Sequence, residues 1–103
     1  MNWNYLAFFA GVFLVNGLPH FLHGISGERF PTPFPKPEGK STSAPLVNVL
    51  WGTVNIIVGT VLAKLSKLAF GFNRDCLMLA LGGFIMAVIL AVHFGLKNIE
   101  AEP

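Results

Sequence analysis

Charge is what this chain has least of. Only 12% of its 103 residues are charged, against about 25% in an average soluble protein, while 53% are hydrophobic and the mean hydropathy is +0.64. So little charge cannot cover the surface of a soluble domain. The near balance of seven Lys and Arg against five Asp and Glu gives no basic surface for nucleic acid. A single cysteine, Cys76, excludes an intrachain disulfide and reads as a small buried hydrophobe. There is no G-x-S-x-G elbow, P-loop or H-E-x-x-H, so no enzymatic chemistry is expected. Glu28, Glu38, Asp75, Glu100 and Glu102 all lie outside the apolar runs, which leaves a carboxylate proton relay without its parts.

What the chain does have is three apolar runs of membrane-spanning length. A hydrocarbon core about 30 Å thick needs roughly 20 helical residues. The runs "WNYLAFFAGVFLVNGLPHFL", "APLVNVLWGTVNIIVGTVLAKL" and "CLMLALGGFIMAVILAVHFGL" supply them. The expected fold is an all-α integral membrane protein forming one transmembrane domain over 1–103. Its helices fall at about 3–22, 44–65 and 75–96, with loops 23–43 and 66–74 and a polar tail 97–103. The start "MNWNY" carries no Lys or Arg and no A-x-A follows the first run, so a retained helix is expected rather than a cleaved signal. Trp3 and Tyr5 then fit an interfacial aromatic belt. The short second loop predicts an antiparallel pair of the second and third helices.

Orientation rests on Lys64, Lys67 and Arg74 against Arg29, Lys36, Lys40 and Lys97. The first set lies tight against helix ends, which favours an N-terminus inside.

Polar residues within the runs form stripes at helical spacing. Asn16, His20 and His23 share one stripe if the first helix continues through Pro19; a helix ending early near "NGLP" is the competing reading. Asn48, Gly52, Asn55 and Gly59 share another, and Gly82, Met86, Ile89 and His93 a third. Lipid offers polar atoms no partner, so the stripes are expected to face one another. With three spans, His20, His23, Asn48 and His93 should meet at one mouth of the bundle, with Glu28 and Arg29 just outside. Hydrogen bonding that ties helix ends to the loop explains this cluster without a cofactor. A metal or haem held by His20, His23 and His93 and proton or substrate handling are the alternatives.

Residues 24–43 contain four of the seven prolines and predict an extended, polyproline-like cover, with Phe30 and Phe34 resting in the interface.

The stretch "NGLPHFLHGISGERFPTPF" followed by "NVLWGTVN" resembles a group of small bacterial multi-pass membrane proteins that pair a P-H-F-x-x-G-like segment and an F-P-T-P-F-like loop with an N-x-x-W-G-x-x-N-like helix. The likeness covers roughly residues 16–59 and implies a bacterial plasma-membrane setting but no activity. A looser likeness to DoxX-type proteins implies four spans, one more than the runs provide. The functional expectation is a small membrane protein that self-associates or serves as an accessory subunit of a membrane partner. An oligomeric channel or transporter is a further reading.

Overall fold

A computed structural model describes residues 3–36 and 41–101, with 97–101 as backbone alone. Its elements run α1 (Tyr5–Ile25), β1 (Phe30–Pro31), β2 (Thr42–Ser43), α2 (Pro45–Leu65) and α3 (Arg74–Ala101). The interior is the reverse of a soluble core. Among the described residues the buried apolar side chains are Ala7, Ala10, Pro31 and Met78, and the largest fully buried side chains are Asn48, Asn55 and Thr32. Leu, Val, Ile and Phe point outward along all three helices. The spans Tyr5–Ile25, Pro45–Leu65 and Arg74–Leu96 have mean hydropathies of 1.6, 1.8 and 2.4, and a helix of 21 residues rises about 31 Å. The architecture is that of a multi-pass α-helical membrane protein.

Asparagine sets two of the helix starts. Asn4 caps α1, its side-chain oxygen accepting from the Ala7 N–H at 3.2 Å, while its amide donates to the Ser66 carbonyl at 3.0 Å. One side chain thus closes the start of α1 onto the end of α2. Asn73 caps α3 in the same way, accepting from the Cys76 N–H at 2.8 Å. Pro45 opens α2 at its first turn, where its missing N–H costs nothing.

The first helix runs through Pro19 and ends at Ile25, not at about residue 22. Pro19 cannot donate to the Val15 carbonyl, but packing on both sides of it holds the helix together. What stops α1 is Gly27, at φ +73°. The Gly27 N–H reaches the Gly24 carbonyl at 3.1 Å and the Glu28 N–H reaches the His23 carbonyl at 2.9 Å, the paired bonds of a Schellman ending.

The packing departs from the sequence expectation in a second way. α1 is the central helix: α2 and α3 each pack along it and hardly touch one another. A Cβ on Gly17 would lie 2.7 Å from the Gly52 carbonyl oxygen, and one on Gly59 would lie 2.7 Å from the Leu14 side chain. On the other flank, a Cβ on Gly11 would overlap the Leu79 carbonyl, and one on Gly82 the Phe8 carbonyl. Leu14 and Val15 are neighbours, about 100° apart on a helix, and they face α2 and α3 respectively. α1 therefore carries two contact faces, and the antiparallel α2–α3 pair does not form.

The expected stripe of α2 is buried in full, since Asn48, Gly52, Asn55 and Gly59 are its buried residues. On α3 the stripe is displaced. Gly82 lies against α1 with its neighbour Gly83, whereas Ile89 is 53% exposed and His93 is exposed. Closest backbone approach, rather than polarity, sets the face of this helix. α3 also continues to Ala101, past the expected end at residue 96, because no Gly or Pro interrupts 97–101.

The segment expected to be polyproline-like is built otherwise. Phe30 pairs with Ser43 and Pro31 with Thr42 in a short antiparallel bridge, and the Thr32 and Ser43 hydroxyls meet at 2.6 Å. Lys40, Glu38 and Glu102 fall outside the described residues. In the second loop Phe70 and Phe72 are fully exposed, at the level where aromatic rings favour the membrane interface. Cys76 is half-buried rather than buried, and its thiol donates to the Ala69 carbonyl at 3.3 Å.

Candidate functional site

The polar residues of α1 gather under the bridged loop, and Asn48 is their hub. Its side chain is fully buried. The amide nitrogen lies 3.0 Å from the Phe30 carbonyl, 3.0 Å from the Ser43 carbonyl and 3.2 Å from the Ala44 carbonyl. Carbonyl oxygens only accept, so the Asn48 NH2 must point at them and its Oδ1 at His20. The 3.0 Å contact to His20 Nδ1 therefore has His20 donating. In the neutral ring that places the proton on Nδ1 and leaves a lone pair on Nε2.

A second relay fixes Asn16. Asn55, only 2% exposed, donates through Nδ2 to the Trp51 carbonyl at 2.8 Å. Its Oδ1 then accepts from Asn16 Nδ2 at 2.9 Å, which leaves Asn16 Oδ1 as an acceptor. Two asparagines of α2, each oriented by backbone carbonyls, thus decide which atoms of α1 present lone pairs. The freed backbone near Pro19 does not take the Asn16 amide, because that amide crosses to α2.

His23 lies at the outer edge. Its Nδ1 donates to Glu28 Oε1 at 2.7 Å, in a pair whose side chains are 40% and 59% exposed. Arg29 reaches across the bridge, with Nε to the Thr42 hydroxyl at 3.1 Å and Nη2 to the Thr42 carbonyl at 3.0 Å.

An aromatic chain joins the elements. Phe30 stacks on His23 with centroids 4.1 Å apart, meets His20 edge-on at 5.3 Å and touches Phe94 at 4.7 Å. Phe34 meets Trp51 edge-on at 5.1 Å. The expectation that both phenylalanines rest in the interface thus fails for Phe30, which turns inward because its carbonyl is bound by Asn48 and its ring by two imidazoles.

His93 does not join His20 and His23. It packs against Phe94 with centroids 4.9 Å apart and connects to the other two through the rings of Phe94 and Phe30. Among the described residues no three His, Cys, Asp or Glu side chains gather as a metal would require. The proposed metal triad of His20, His23 and His93 is therefore not assembled, because each of the first two histidines already has its own hydrogen-bond partner and α3 is turned away.

Two adjoining cavities open beside this network. The larger, about 510 Å³, is walled by Pro19, His23, Arg29, Phe30 and Phe94, among others. The smaller, about 210 Å³, lies beneath residues 31–33 and is lined by Asn16, His20, Trp51, Leu90 and Phe94. Trp51 is the residue the sequence reading passed over. Its Nε1 is buried without a hydrogen-bond partner among the described residues, and only its position one turn before Asn55 could have marked it.

Comparison with protein-family models, curated proteins and solved structures yields no match.

Proposed function

We propose that the protein is a small accessory or self-associating subunit of a bacterial inner membrane, with its N-terminus on the cytoplasmic side, and that it acts through helix contacts rather than catalysis. The observation that carries this reading is the outward face of α3. Ala87, Ala91 and Gly95 recur every fourth residue and are exposed, and a Cβ added at Gly95 would meet no atom within 4 Å. Small residues at that spacing let two membrane helices approach closely. The likeness to small bacterial multi-pass proteins supports the host membrane. The basic residues Lys64, Lys67 and Arg74, close to their helix ends, support the orientation.

Mass measurement of the purified protein in mild detergent tests the assembly. A dimer or hetero-complex is expected, and the double substitution Ala87→Leu with Ala91→Leu is expected to release the monomer. A wild type that is monomeric and carries no partner would refute the proposal.

A further inference from the structure

We propose that the smaller cavity is a binding site for a compact neutral hydroxyl compound with a flat apolar body, a phenol in chemical class. The inference stands apart from self-association, because the site is built within one chain.

Size sets the first limit. At about 210 Å³ the cavity lies between the roughly 150 Å³ that accepts a benzene ring and the roughly 300 Å³ at which pockets for drug-sized ligands begin. One substituted ring fits. Charge sets the second. The lining residues Asn16, His20, Pro31, Thr32, Pro33, Trp51, Leu90 and Phe94 include no Asp, Glu, Lys or Arg, so nothing offsets the desolvation of an ion.

Hydrogen bonding then selects the head group. His20 is held as a donor toward Asn48 through Nδ1, and its Nε2 makes no hydrogen bond with the described residues. Asn16 Oδ1 is likewise left as an acceptor by the Asn55 contact. The wall therefore asks for a donor. A hydroxyl supplies that donor without bringing a charge to a wall that offers none to pair it. The remaining walls, Pro31, Pro33, Leu90 and the rings of Trp51 and Phe94, suit the face of an aromatic ring.

The test uses the full chain in detergent with Trp3→Phe, which leaves Trp51 as the sole tryptophan. Its fluorescence is followed during titration with para-ethylphenol, and in parallel with ethylbenzene and with the methyl ether of para-ethylphenol. The phenol is expected to give a saturable change with an affinity about tenfold above that of either control, the scale of one well-made hydrogen bond. Leu90→Trp, read by the same titration through competition with a radiolabelled phenol, fills the cavity from α3 without touching the polar network and should abolish saturable binding. His20→Phe should erase the preference for the phenol over ethylbenzene. Equal affinities for all three compounds, a response that never saturates, or binding unaffected by Leu90→Trp would each overturn the proposal.

Discussion

Asn48 shows how much one side chain can hold when water is scarce. It contacts three backbone carbonyls and an imidazole, linking the start of α2 to the loop and to α1. Replacing it by Ala strands several buried polar groups, at about 1–3 kcal/mol for each one left unsatisfied. A clear loss of stability in a detergent unfolding titration is expected. Asn48→Asp, nearly identical in shape, should lose at least as much, because its carboxyl would confront carbonyl oxygens where the amide donates. His20 and His23 should part company in the same assay. His23→Gln is expected to cost under about 1 kcal/mol, since the pair with Glu28 is exposed to solvent. His20→Gln should cost more, for His20 is 4% exposed and its ring meets Phe30 and Trp51.

At the level of elements, the glycines separate contact from mere composition. Gly11→Ala places a methyl group against the Leu79 backbone, which cannot retreat as a side chain would. A loss of about 1–3 kcal/mol from overpacking is expected. Gly95→Ala meets nothing and should leave stability unchanged or raise it by up to about 1 kcal/mol. Measuring both by thermal unfolding checks the α1–α3 interface directly. The helices themselves were legible in the sequence because a spanning run is long, uninterrupted and hard to mistake. The α2 stripe was legible too, since two asparagines and two glycines at helical spacing have one sensible direction to face in lipid. The end of α1 was not, because Pro19 is a stronger local breaker than Gly27, and only packing against both neighbours overrides it. Nor was the central place of α1. Loop length suggested which helices are sequence neighbours, while their pairing depended on backbone approach at Gly11, Gly17, Gly52 and Gly82, which spacing alone does not rank. The inward turn of Phe30 escaped for a related reason: it follows from a backbone carbonyl, which has no signature in the sequence.

For the whole molecule, the three spans place residues 66–73 on one side of the membrane with the N-terminus, as the Asn4–Ser66 bond and the stacking of Arg74 over Trp3 at 4.6 Å require. In a Cys76→Ser background, Ser41→Cys and Phe70→Cys should label from opposite sides with an impermeant thiol reagent; labelling of both from the same side would refute the three-span arrangement. The central position of α1 also makes the fold severable. Since α3 is held by α1 and hardly by α2, cutting the chain between Phe70 and Gly71 removes a tether but leaves both contact faces of α1 whole. The first piece keeps the hairpin of α1 and α2, and the second keeps α3 as a single span with its own Asn73 cap. Produced together as two polypeptides, the halves should find each other in the bilayer and copurify, and Gly11→Ala in the longer piece should prevent it.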